Sequence, residues 1–153
     1  IDAGVGYQAA LKIVNSALLV KSGEESLSTI DITAVNLYTG QAWFYKAGAA
    51  PTFLRRSKRC GLVESTSLPA GILTAVDFEK SSVRLGDGDM VVMVSDGATA
   101  CGTDWISSVV EHFPVDGNLQ ALCDDIASTA RLLRNDNHDD DITVCACRVK
   151  KVD

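Results

Sequence analysis

The chain has 153 residues, a formal net charge of −6 and a sequence pI of about 4.8. With 46% hydrophobic and 22% charged residues it reads as one compact domain with a real core, residues 1–153, rather than a disordered chain. The acidic balance excludes binding of nucleic acid through phosphate neutralisation. The absence of any apolar run of about 18 residues excludes a membrane span, so no membrane contact is expected of this segment.

The elements follow in chain order. From Tyr7 to Val20, apolar residues at Ala10, Ile13, Val14, Ala17 and Leu18 recur with helical spacing, which predicts an amphipathic helix closed by Lys21-Ser22-Gly23. Thr29–Leu37, rich in Ile, Val and Thr, predicts a strand. Tyr38-Thr39-Gly40 turns the chain into a second strand, Gln41–Ala47, giving an antiparallel hairpin. Gly48–Pro51 interrupts, and Thr52–Arg55 resumes. The basic run Arg55, Arg56, Lys58, Arg59 falls on a hairpin tip and reads as a solvated turn. Val76–Leu85 predicts a strand with one exposed face, and Gly86-Asp87-Gly88-Asp89 a tight turn. Met90–Val94 is an unbroken apolar run, as in a central strand covered on both faces. Asp104 is placed to cap a short helix ending at His112. Leu119, Leu122, Cys123, Ile126, Ala127, Ala130 and Leu133 trace a long helix capped by Asn118, and Asp141–Val149 ends the chain as a β-branched strand. Strands first and helices grouped late indicate an α+β fold of antiparallel sheets covered by helices.

Five cysteines, Cys60, Cys101, Cys123, Cys145 and Cys147, have an odd count and scattered spacing that supply neither a disulfide framework nor a zinc motif. Cys145 and Cys147 would share one strand face and read as small buried hydrophobes in a reducing cytosol. His112 and His138 are too few for zinc and read as surface residues. The acidic loops Asn135–Asp141 and Gly86–Asp89 lack the central glycine and bidentate glutamate of a calcium loop, which argues against a calcium-binding structural domain.

Two places could carry chemistry. Asp96 follows the buried strand directly, where a carboxylate is rigidly held, and Gly97 beside it lets a metal or its waters approach the backbone. From spacing alone Asp96 reads equally as a helix cap. The second place is Asp139-Asp140-Asp141. Two carboxylates about 6 Å apart repel by about 0.7 kcal/mol in water and about 3 kcal/mol at an effective dielectric near 20. An exposed triplet is therefore tolerable alone, whereas a partly buried one wants a divalent cation. Strand alternation points Asp139 and Asp141 one way and Asp140 the other.

In order along the chain, Val14-Asn15-Ser16-Ala17-Leu18-Leu19, Ser28-Thr29-Ile30-Asp31-Ile32, Lys46-Ala47-Gly48-Ala49-Ala50-Pro51, Leu68-Pro69-Ala70-Gly71-Ile72, Ser95-Asp96-Gly97 and Asp140-Asp141-Ile142-Thr143 stand as they do in one family. Together they resemble the metal-dependent protein phosphatases of the 2C type, and among these the phosphatase domain of the stage II sporulation protein E family. The resemblance implies an αββα sandwich with a binuclear Mn2+ or Mg2+ site at the edge of the sheets. By position it implies Asp96 and Asp140 as metal ligands and catalytic residues, with Gly97 as a further metal-site residue and Asp141 the less suitable ligand. It further implies in-line hydrolysis of phosphoserine by metal-activated water, an anti-anti-sigma factor as substrate, and a cytoplasmic location within a membrane-anchored parent. A homodimer stays open. Asp31 and Gly48 lie in matched segments, but each reads more simply as a strand polar residue and a turn glycine.

One departure matters. The family's first metal motif supplies the carboxylate that bridges both metals. Asp2-Ala3-Gly4-Val5-Gly6 is only a degenerate copy, with no room for the helix that follows the motif in the family. The expectation is the C-terminal portion of a longer domain, nearly inactive alone. The alternative is a phosphatase-like module without catalysis that binds a regulatory partner.

Overall fold

The protein is described by a computed structural model covering residues 6–20, 27–74, 78–134 and 140–151. Among the described residues seven strands form two antiparallel sheets. The first has the order β1-β2-β5, from β1 (Ile30–Val35), β2 (Gln41–Ala47) and β5 (Glu79–Arg84). The second has the order β4-β3-β6-β7, from β3 (Thr52–Arg56), β4 (Arg59–Val63), β6 (Met90–Val94) and β7 (Val144–Arg148).

Side-chain alternation assembles the layers. Ala42 and Phe44 of β2 meet Val91 of β6, with Leu54 and Met93 packed around them, so the two sheets stack face to face. On the other face of the second sheet, Phe53, Met90, Val92 and Val94 pack against α3 (Asp104–His112) and α4 (Leu119–Leu133) through Ile106, Val110, Leu122 and Ile126. Helix α1 (Tyr7–Val20) covers the outer face of the first sheet, where Tyr7 stacks on Tyr45 at 5.2 Å between ring centroids. The result is the expected αββα sandwich. The predicted hairpin, the central strand Met90–Val94 and the Asn118 cap all stand, the cap accepting hydrogen bonds from the backbone of Gln120 and Ala121.

Four expectations are corrected. Helix α1 buries Leu11 and Asn15, while Ile13 and Val14 are exposed. The reason is Asn15: its Nδ2 donates to the Leu73 carbonyl at 3.0 Å and its Oδ1 accepts from Gly71 N at 2.8 Å, turning the helix about its axis to seat an amide. Asp104 is the first residue of α3 rather than its cap, which is Thr103. Cys145 and Cys147 are exposed rather than buried, and Cys101 is exposed too. Arg55 is 4% exposed and belongs to the interior, although Ser57 and Lys58 do form the β3–β4 turn. The helix end at Lys21-Ser22-Gly23, the Asp2–Gly6 segment up to Val5, His138 and Asp139 lie outside the described residues.

Candidate functional site

Strands β6 and β7 run antiparallel with Val94 opposite Val144, so the residues leaving β6 lie beside those entering β7. Ser95 fastens the two segments. Its N–H donates to the Thr143 carbonyl at 3.0 Å, its Oγ accepts from Thr143 N at 2.9 Å, and the same hydroxyl donates to the Asp141 carbonyl at 2.9 Å. The backbone then turns into α2 (Asp96–Thr99), with Asp96 in its first turn and the Asp96 Oδ1 accepting from Gly97 N at 2.9 Å.

Gly97 is where the two segments touch. A Cβ built there would stand 2.7 Å from the Asp141 carbonyl oxygen and 3.4 Å from that of Asp140. On the far side Arg134, its side chain 8% exposed, donates from Nη1 to the Asp140 carbonyl at 2.9 Å, and Nη2 lies 3.9 Å from Asp140 Oδ2. The structure therefore brings Asp96, Gly97 and the Asp140-Asp141 backbone together. Their carboxylates differ: Asp96 lines a cavity of about 270 Å³, whereas Asp140 is 71% exposed beside Arg134 and does not line it.

The same cavity is lined by Asp31, Thr29, Ala50, Ser95 and Thr143. Asp31 is the residue that motif reading undervalued. Its Oδ2 accepts from Lys46 Nζ at 2.5 Å and from Thr52 Oγ1 at 2.9 Å, while its Oδ1 is buried without a hydrogen-bond partner. Alternation could have found it, since Asp31 and Lys46 face each other on the inner side of a hairpin that also buries Phe44. Gly48 adopts φ +58 and packs on Pro69, as a turn glycine does.

The donor set around the cavity is mostly oxygen: two carboxylates and three hydroxyls, hard ligands suited to Mg2+ or Mn2+. Among the described residues no three His, Cys, Asp or Glu side chains converge closely enough to hold an ion by themselves. Of the two expected ligands, Asp96 lies on this oxygen-lined cavity together with Asp31, whose Oδ1 is buried without a hydrogen-bond partner, whereas the Asp140 carboxylate stands outside it beside Arg134.

Against this geometry stands the family model of stage II sporulation protein E, which matches residues 1–150. The chain belongs to this family. Stage II sporulation protein E of Bacillus subtilis (strain 168) is 33% identical over 97 residues, which are 63% of this chain and 12% of that protein. The Priestia megaterium protein of the same name is 27% identical over 97 residues and is matched over 17% of its length. The chain thus spans well under a fifth of these relatives. The crystal structure of the PP2C phosphatase domain with a fragment of the regulatory domain of SpoIIE from Bacillus subtilis superposes with a TM-score of 0.81 at 27% identity, covering 97% of this chain and 46% of that one. The manganese-presoaked phosphatase domain of the same protein gives 0.70 at 27% identity, over 98% and 68%. The Streptococcal S. agalactiae serine/threonine phosphatase, 17% identical with a TM-score of 0.71 over 90% of this chain and 66% of that one, shares the fold. The chain thus has the fold of the PP2C phosphatase domain of the Bacillus subtilis protein.

Proposed function

We propose that this segment forms part of a divalent-metal-dependent protein serine phosphatase that hydrolyses phosphoserine on a regulatory protein of the anti-anti-sigma factor type. The observation that carries the reading is the Ser95 fastening, which holds Asp96 and the Asp140 backbone on either side of Gly97 at the edge of the sheets. Asp96 and Asp140 would hold Mn2+ or Mg2+, and bound cations supply activated water and neutralise phosphoryl charge. The chain's own work is positional. The apolar strand β6 fixes Asp96, Arg134 fixes the Asp140 carbonyl, and glycine at 97 keeps the space between them clear of side-chain atoms. The substrate class, the cytoplasmic location and a membrane-anchored parent carry over from the family. No helix of the described residues is long and apolar enough to cross a membrane.

In the complete domain, Asp96→Asn or Asp140→Asn abolishes manganese-dependent turnover of a phosphoserine protein while the circular dichroism spectrum is kept. Wild-type turnover in either variant removes that ligand assignment. A second reading, a phosphatase-like module without catalysis, is favoured by the incomplete ligand set of the described residues. Calorimetric titration separates the two: the isolated 153-residue chain binds manganese weakly, and the complete domain binds two ions under the phosphatase reading and none under the other.

A further inference from the structure

A second cavity, of about 450 Å³, lies at the other end of the β3 strand and is lined by Arg55, Lys58, Glu111, His112, Phe113 and Pro114, among others. Arg55 is about 10 Å along the strand from Thr52, the residue that bonds Asp31 at the first cavity. We propose that this cavity is an oxyanion-binding pocket for a single carboxylate or phosphate group.

The observation that carries it is a buried cation without a direct ion pair, the one lining carboxylate, Glu111, being held by the backbone of Cys60. Arg55 is 4% exposed, donates from Nη1 to the Phe113 carbonyl at 2.7 Å, and has no carboxylate within ion-pair distance among the described residues. Two other cations on these sheets do have a carboxylate partner. Lys46, buried to 1%, has Asp31 at 2.5 Å, and Arg56 next to Arg55 has Asp89 at 3.4 Å. A buried guanidinium carries five donors in a planar fork matched to carboxylate and phosphate, and leaving its charge uncompensated is unfavourable. An anion in the adjoining cavity removes that penalty.

An independent feature points the same way. The β3–β4 turn has φ +46 at Ser57 and +68 at Lys58. Such a turn is ordinarily filled by Asn-Gly, because side chains strain in the left-handed region. A lysine kept there brings an ammonium group to the pocket wall, and strain held in this way is a mark of a functional position. Glu111 is the one acidic residue of the lining, and its Oε2 accepts from Cys60 N at 3.1 Å. The ring of His112 donates from Nδ1 to the Ser108 carbonyl at 2.8 Å, leaving Nε2 as its remaining polar atom.

The test is a titration of the 153-residue chain with inorganic phosphate in the presence of chelator, followed by amide and arginine Nε–H resonances, against sodium chloride of equal ionic strength. Saturable shifts at Arg55, Cys60 and Phe113 are expected. Arg55→Gln abolishes them. Lys58→Gly weakens binding roughly fivefold while raising Tm, because it removes a charge and relieves the turn. That opposite movement keeps the test decisive if Arg55→Gln fails to fold. A short poly-glutamate peptide that displaces phosphate identifies a carboxylate presented by a protein segment as the occupant; an inert peptide with saturating phosphate identifies the free ion. Shifts matched by chloride, or equal affinity in Lys58→Gly and wild type, overturn the proposal.

Discussion

Gly97→Ala separates crowding at the candidate site from ordinary helix propensity. Gly97 does not occupy the left-handed region, so alanine can adopt its backbone angles, and in a helix that exchange alone stabilises by about 0.5–1 kcal/mol. The added methyl, however, would lie 2.7 Å from the Asp141 carbonyl oxygen and 3.3 Å from Arg134 Nη1. Backbone cannot rotate away as a side chain can, so the 140–141 segment must retreat. Overpacking of this kind costs about 1–3 kcal/mol. Retreat also stretches the 2.9 Å bond from Ser95 Oγ to Asp141 O, worth about 1 kcal/mol. Crowding therefore wins, with a net loss of about 1–3 kcal/mol and a fall in Tm of roughly 3 °C per kcal/mol. Urea denaturation measures the loss, and the amide resonance of Thr143, bonded to Ser95 Oγ, reports the displacement. A variant at least as stable as wild type, with that resonance unmoved, would show that the two segments are not in contact.

The remaining predictions concern the interior and the acid limb of stability. Asn15→Asp removes the donor to the Leu73 carbonyl and buries a charge, for a loss of about 2–4 kcal/mol by chemical denaturation. Asp31→Val alone leaves the Lys46 ammonium uncompensated and destabilises by about 3–5 kcal/mol, whereas adding Lys46→Met recovers most of the loss; a double variant no better than Asp31→Val would refute the pairing. The Glu79 carboxyl is held below its usual range by hydrogen bonds from the Thr66 hydroxyl and amide. A depressed folded-state pKa contributes stability above the ordinary glutamate value and loses it as pH falls through the folded one. Glu79→Gln should therefore lower stability near neutrality and converge with wild type in acid.

What could be read from the sequence depended on whether one residue's neighbours were enough to decide its environment. Asn118 followed by a helical stripe, and the run Met90–Val94, are local signals, and both elements appear as expected. The rotation of α1 is not local: it depends on Asn15 reaching residues 71 and 73, more than fifty positions away. The exposure of Cys145 and Cys147 depends on sheet width. They stand on the inward side of β7, but β7 is the edge of a four-stranded sheet facing a three-stranded one, so part of that face has no sheet opposite it. Strand β4 escaped notice for a related reason. Its sequence Arg59-Cys60-Gly61-Leu62-Val63 has no clean alternation, as an edge strand with one covered neighbour does not require it.

The site combines both kinds of information. Asp96 and Asp140 are far apart in sequence, yet antiparallel pairing of β6 with β7 makes the exit of one strand adjacent to the entry of the other. Pairing alone leaves register open, and a shift of two residues keeps every side chain on its face while moving Asp140 by about 7 Å. Hydrophobic patterning cannot exclude that shift, because Val144 and Ala146 would still point to the helices. Ser95 can. Its hydroxyl accepts from Thr143 and donates to Asp141 simultaneously, and that reciprocal bond is available in one register alone. The serine that precedes Asp96 thus sets where Asp140 lies, which gives the Ser95-Asp96-Gly97 triplet a structural logic: one residue fixes register, one offers a carboxylate, and one leaves room for the opposing chain.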